Sequence, residues 1–259
     1  MATLAEVLTE LEAAGTAQNR KVYPRHGAAE PILGVSYKEL TRIGKPLRGE
    51  HQLAIELWES GYHDARVLAL RIADPGELSV ELAQRWLQDV DNYILAEELG
   101  RLVSRSPIVR QLSDELRDSG EEWPASVGWF IIACTAEQPE LWSPQELSAF
   151  VEQIGSQISE RPNRVRHEMN GALITIGLRD DSLRQSVLDT ARTVCPVEVD
   201  HGETGCKTPD VEPYIERTLA RRAELAARRA EKARARAAAG EAERDPTRAV
   251  AAAHHRRTR

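Results

Sequence analysis

Apolar residues recur at i, i+3, i+4 and i+7 through almost the whole chain, and turn or helix-start signals interrupt that pattern at short, regular intervals. In 49–60, Leu53, Leu57 and Trp58 share one face. After Ser60-Gly61 a second stretch puts Ala65, Leu68, Ala69 and Ile72 on one side and stops at Ala73-Asp74-Pro75-Gly76. The same pairing repeats with 79–89 and 92–103, with 107–118 and 123–136, and with 144–158 and 163–178. The breaks fall at Ser106-Pro107, Ser119-Gly120, Ser143-Pro144 and Arg161-Pro162. Runs of β-branched residues with period-two alternation are missing, so the chain is expected to be all-α.

Helix pairs of about 30–45 residues cannot bury their apolar faces alone and stack on their neighbours. The expected architecture is a HEAT-like or armadillo-like α-solenoid of stacked antiparallel helix pairs over residues 1–208, with a compact bundle as the alternative. Thr208, Pro209 and Asp210 form a helix-start signal, so a charged C-terminal helix is expected over 209–239. Residues 240–259, with Pro246, scattered Arg and the pair His254-His255, read as a disordered tail.

Charge divides the same way. Residues 211–259 carry 13 Lys and Arg against 7 acids, which leaves 21 against 34 in residues 1–210. The body is therefore acidic at -13 and the tail basic at +6. A duplex-DNA binder needs cations opposite phosphate, so on this body they would have to form a local stripe. Two sets stand out. Arg20, Lys21, Arg25, His26, Lys38, Arg42, Lys45 and Arg48 make the first helices the most basic part of the body, and Arg161, Arg164, Arg166, His167, Arg179 and Arg184 form a second cluster. If both sets meet on one face they can hold a duplex. If they serve as salt bridges to the acidic body, the chain is a protein-interaction scaffold, with the C-terminal helix as a possible partner surface.

No run of about 18 apolar residues exists, and the opening MATLAEVLTELEAAG reads as an amphipathic helix rather than a signal peptide, so no membrane partner and a cytoplasmic location are expected. Cys134, Cys195 and Cys206 are odd in number and irregularly spaced, which reads as thiols. The segment VEVDHGETGCKTPD gathers Glu198, Asp200, His201, Glu203, Cys206, Lys207 and Asp210 with two glycines. It can be a metal site built on His201 and Cys206, or a cap in which Asp200 and Glu203 bond backbone amides. No Gly-rich phosphate loop, G-x-S-x-G or H-E-x-x-H motif is present.

Several stretches together resemble one family. They are Tyr23 with Arg25-His26-Gly27, the turn Gly34-Val35-Ser36, HQLAIELWESGYHDARVLALRIADP at 51–75, and WLQDVDNYILAEEL at 86–99. They are similar to the AlkD-type DNA alkylation repair proteins, HEAT-like repeat proteins whose active members excise N3- and N7-alkylated purines from duplex DNA. The resemblance spans roughly residues 16–200 and implies a monomer that needs no cofactor. Active members carry an aromatic residue followed four positions later by Asp, and the matching pair here is Tyr93 and Glu97. In that role the ring would face the cationic lesion and the carboxylate would stabilise glycosidic cleavage. The chain departs from the family where active members place an Arg-rich helix start (here Trp123-Pro124-Ala125-Ser126) and a second groove Trp with an Arg three residues on (here Gly171 and Ile174). Asn170 to Arg179 and Val199 to Asp210 resemble a distinct branch of the same superfamily.

Overall fold

The structure is a computed structural model and describes residues 2–179 and 181–244, with side chains as far as residue 236. Its helices are α1 (Leu4–Ala14), α2 (Ala17–Val22), α3 (Tyr37–Gly44), α4 (His51–Glu59), α5 (His63–Ile72), α6 (Val80–Gln88), α7 (Tyr93–Val103), α8 (Val109–Leu116), α9 (Glu122–Thr135), α10 (Pro144–Gln157), α11 (Asn163–Arg179), α12 (Asp181–Val194) and α13 (Val211–Arg244). Short 3-10 turns lie at Tyr23–His26, Lys45–Leu47 and Ile158–Glu160. No strand occurs among the described residues. The chain divides into two compact units between Glu212 and Pro213.

In the first unit the second helices of successive pairs, α3, α5, α7, α9 and α11, stack on one another in chain order. Helices α4, α6, α8 and α10 each back the member that follows them, and α12 packs on both α10 and α11. Each pair therefore buries one face against its partner and another against the next pair, as stacked repeats must. The inner row matters for function, because it sets side chains far apart in sequence along one wall.

Local chemistry fixes where each helix begins. Thr3 with Glu6 and Ser143 with Glu146 form reciprocal capping boxes, and Pro144 takes the first helical position of α10. Asn92 caps α7 by accepting from the amides of Ile94 and Leu95 at 3.0 and 3.1 Å, which sets the pitch on which Tyr93 and Glu97 are carried. The turn 33–35 is held from inside: the buried Asp64 carboxylate accepts from the amides of Leu33, Gly34 and Val35 at 2.7, 3.2 and 2.6 Å. Gly34 sits at φ +79, and a Cβ there would fall 2.6 Å from the Thr16 carbonyl, so the turn requires glycine.

The core is aromatic at its joints. Trp58 stacks on Trp86 with centroids 5.0 Å apart, joining the second and third pairs, while Trp142 meets Phe150 edge-on and donates its indole N–H to Thr135 Oγ1 at 2.9 Å. Gly128 lets α9 close on the end of α8, since a Cβ there would lie 2.3 Å from the Arg117 amide.

One boundary is corrected, and one helix is added. The last helix begins at Val211, not at Pro209, because the Thr208 hydroxyl is engaged by histidines and does not cap it. Helix α12 occupies a stretch for which the paired pattern assigns no element. The expected tail at 240–259 begins inside α13, which runs to Arg244; the remainder, including His254 and His255, lies outside the described residues.

Candidate functional site

Tyr93 opens α7, and Glu97 follows one turn later on the same face. Across the inner row, α11 presents Arg164 and Glu168, also one turn apart. The Arg164 guanidinium lies over the Tyr93 ring, 4.2 Å from its centroid, and its Nη2 stands 3.3 Å from Glu97 Oε1 and 3.8 Å from Glu168 Oε1. Only 9 % of the Arg164 side chain and 7 % of that of Glu168 are exposed. A cation–π contact made in such dry surroundings is worth about 2 kcal/mol. Glu122 Oε1 accepts from the Arg164 amide at 2.7 Å and pins the first turn of α11 at the far side.

One guanidinium thus serves two carboxyls. Burial pushes both carboxyls above the ordinary range, Glu168 further than Glu97, and the mutual repulsion of the pair adds to the rise at Glu168. The ion pair belongs to Glu97 and Arg164, with Glu168 holding its proton more tightly.

The 198–210 loop closes on this box. Arg164 Nη1 lies 3.3 Å from His201 Nδ1, and because arginine can only donate, Nδ1 accepts. The proton of His201 is then on Nε2, which donates to Thr208 Oγ1 at 3.0 Å, leaving the Thr208 hydroxyl to donate to His167 Nδ1 at 3.4 Å. Both rings are held neutral. Burial, then Arg164, then His201 drive His167 down to about 4, and burial and Arg164 lower His201. Asn163 clamps the loop by a reciprocal pair with the Asp200 backbone, at 2.7 Å each way, and Asn170 Nδ2 donates to the Pro209 carbonyl at 3.0 Å. Gly202, at φ +63, brings the loop against the turn 23–26: a Cβ there would fall 3.2 Å from the Arg25 carbonyl. From that turn His26 Nδ1 meets the Tyr93 hydroxyl at 2.6 Å.

The metal expectation finds no third ligand. Among the described residues no three His, Cys, Asp or Glu side chains converge on a cation position, both nitrogens of His201 are engaged, and Cys134, Cys195 and Cys206 are free thiols. The loop is a hydrogen-bonded cap in which Asp200 Oδ1 accepts from the Gly202 amide at 2.8 Å.

The two basic sets meet at Tyr93, His26 from one side and Arg164 from the other, but many of their members are spent internally. Arg20 Nη1 donates to the Leu33 carbonyl at 2.8 Å, and Arg42 pairs with Glu10 and Glu39. Arg161 bonds the carbonyls of Arg117 and Ser119, Arg179 that of Ala136, and Arg184 that of Gly177. Arg166 Nη2 reaches Asn163 Oδ1 at 3.4 Å. Lys21, Arg25 and Lys38 are exposed and form no ion pair among the described residues.

A groove of about 730 Å³ lies at the C-terminal ends of α3, α5 and α7, with Lys45, Arg48, Arg71, Arg101 and Arg105 facing Asp74 and Glu98. Arg71 is bound to Glu98 at 2.6 Å and leans on the Tyr37 ring; Arg101 stands 3.8 Å from Glu98 and over Phe130. Lys45, Arg48 and Arg105 are exposed and make no ion pair among the described residues. The negative ends of three helices favour cations here. A smaller cavity of about 290 Å³ shares Arg71 and Glu98 with the groove and is also lined by Tyr93 and Glu97, so groove and box adjoin. Sequence reading marks Lys45 and Arg48 but not Arg71, Arg101 or Arg105; Arg71 and Arg101 carry only the signal of a basic residue in the last turn of α5 and α7, and Arg105 lies just beyond α7.

A profile of the family described as DNA alkylation repair enzyme matches residues 7–232. The chain belongs to this family. Among its relatives, an uncharacterized protein of Listeria innocua is 28 % identical over 232 residues, covering 85 % of this chain and 99 % of the other. An uncharacterized protein of Listeria monocytogenes is 27 % identical with the same coverage. A solved structure superposes with a TM-score of 0.77 at 28 % identity, covering 85 % of this chain and 95 % of that one. It represents a new family of proteins related to the HEAT-like repeat DNA glycosylases with affinity for branched DNA structures. The two-layer stack described above is thus a HEAT-like repeat fold.

Proposed function

We propose that this protein is a repair-related binder of branched or lesion-bearing duplex DNA and that any base excision it performs is weak. One observation carries the reading: the box formed by Tyr93 and Glu97 already holds a cation, the guanidinium of Arg164. An N-alkylated purine is also a flat cation, and excision requires it to occupy that same aromatic face beside that same carboxylate. To admit it, the protein would have to expel Arg164 from between two carboxyls and break its contact with His201. The wall opposite is no better suited, since Gly171 and Ile174 supply neither an aromatic face nor a phosphate clamp.

Binding faces no such obstacle. Lys45, Arg48, Arg101 and Arg105, with Lys21, Arg25 and Lys38 nearer the chain start, are exposed cations on a body that is otherwise acidic, and phosphate contacts made by such side chains position a duplex without reading its sequence. The affinity of the structural relative for branched DNA supports a junction as the preferred form. The test is fluorescence anisotropy of labelled four-way junction, linear duplex and alkylated or abasic duplex of equal length at several salt concentrations. Tighter binding to the junction, weakening steeply with salt, is expected. Absence of binding even at low salt would overturn the reading and favour the scaffold alternative, for which the net charge of the body is the supporting observation.

A further inference from the structure

The C-terminal helix carries a second charged surface, separate from the box and the groove. Between Pro213 and Arg236 it bears seven Arg and one Lys against Glu216, Glu224 and Glu231. Their placement is not even. Arg217, Arg221, Arg228 and Lys232 are spaced 4, 7 and 4 residues apart, which returns to one side of an α-helix at each step, and Arg229 and Arg236 flank the same side. The side opposite carries Ala220, Ala223, Ala226, Ala230 and Ala233, with Glu216 and Arg234 set among them. These stripe residues are exposed, and Arg228 pairs with Glu224 at 2.7 Å.

A solvated helix face stabilises itself with acids and bases in balance one turn apart. Here cations outnumber acids by eight to three, and nearly all are Arg, whose planar fork suits phosphate better than the point charge of Lys. The stripe from Arg217 to Arg236 is about 28 Å long, the length of roughly eight base pairs of duplex. The alanine side keeps the helix thin enough to lie along a duplex groove, whose width is about 12 Å. The body carries a net -13, so its exposed groove cations act against an unfavourable overall field, and the surplus of cations on α13 adds attraction to theirs.

We infer that α13 is a second DNA-binding element, a basic rod that holds the phosphate backbone of a duplex arm through Arg217, Arg221, Arg228, Arg229, Lys232 and Arg236. The inference rests on the DNA-binding reading above and adds to it a surface that recognises charge rather than branching. Phosphate contact releases condensed counterions, and each contact steepens the fall of log K with log salt by about 0.9.

The test uses the full chain and a fourfold variant, Arg221→Gln, Arg228→Gln, Lys232→Gln and Arg236→Gln. Glutamine has nearly the helix propensity of Arg and Lys, and circular dichroism checks that helicity is kept. Both proteins are titrated against labelled junction, linear duplex and poly-glutamate over a salt series. The variant is expected to bind DNA with a slope shallower by about 3.6 and with the parent's ratio of junction to duplex affinity unchanged. An unchanged slope with junction binding intact overturns the rod and leaves the binding reading standing. Loss of DNA binding by both proteins overturns both. Binding of parent to poly-glutamate more tightly than to duplex at equal salt makes the stripe a protein-docking element and overturns the inference as well.

Discussion

Arginine is used in two opposite ways in this molecule. In the box on α7 and α11, Arg164 is buried, laid on Tyr93, bound to Glu97 and faced by His201, so its charge is neutralised by the protein itself. In the groove at the ends of α3, α5 and α7, Lys45, Arg48 and Arg105 are exposed with no ion pair among the described residues, and Arg101 is half committed to Glu98. The first arrangement spends the charge on holding α7 and α11 together. The second leaves charge available to a ligand. The contrast teaches that the number of cations in a HEAT-like stack says little about DNA binding until the internally spent ones are removed.

The sharpest way to break the contrast is to empty the box. Arg164→Ala leaves two buried carboxyls without their counter-ion and is expected to lower stability by about 3–5 kcal/mol, read as a fall in the urea midpoint. A loss below about 1 kcal/mol would mean that Arg164 is no more than a surface pair.

Acid attacks the same region by a different group. The native state keeps His167 neutral down to about pH 4, whereas the unfolded chain takes up its proton below about 6.5, so stability is lost as pH falls through that window, by as much as about 3 kcal/mol. Glu97 and Glu168, raised by burial, act with the opposite sign: the native state binds their protons more readily, so they cost stability as pH rises out of the ordinary carboxylate range. The protection factors of amides in residues 197–210, that is, exchange corrected for its intrinsic pH dependence, should therefore fall between pH 7 and pH 5, and His167→Gln should flatten that dependence. Protection factors that stay constant in the parent would contradict the histidine cap.

In the groove the effect is on affinity. The triple change Lys45→Gln, Arg48→Gln and Arg105→Gln is expected to make the salt slope of junction binding shallower by about 2.7, with the melting temperature nearly unmoved, because these exposed side chains form no ion pair among the described residues and Arg105 is held only by one exposed bond to the Arg101 carbonyl at 3.2 Å. A fall in stability with no change in slope would reverse the assignment of free and spent cations. Smallest of all, Glu97→Gln should leave junction affinity unchanged, since Glu97 faces Arg164 and not the groove mouth.

Much of this fold is legible in the chain. Ser-Pro and Ser-Gly breaks mark several limits between α4 and α11: Ser60-Gly61 ends α4, with Gly61 at φ +79, and Ser143 caps α10 with Pro144 at its first position. Helix α12 is not legible in the same way: it buries only Leu183, Val187 and Ala191, and no Gly or Pro separates it from the preceding run. Tyr93 and Glu97 are marked in the sequence by the family resemblance and not by their spacing, which an aromatic at a helix seam and a solvated acid would share. Their partner is not so marked, since Arg164 is 67 residues from Glu97 and reaches it only because α9 sets α11 at the right distance from α7. The 198–210 loop is legible as a polar cluster, but its ligand is the protein: His201 answers to Arg164 and Thr208, where sequence alone leaves a hydrogen-bonded cap and a metal site both open.

On the proposed reading, the protein's own cation fills the site where an alkylated base would be excised. The decisive measurement is release of methylated purine from alkylated duplex under single-turnover conditions, with the parent and Glu97→Gln side by side. Release is expected to be no more than a few-fold above the uncatalysed background and the same in both proteins. Clear release by the parent that disappears in Glu97→Gln would contradict it, because Arg164 would then have to leave the box during each turnover.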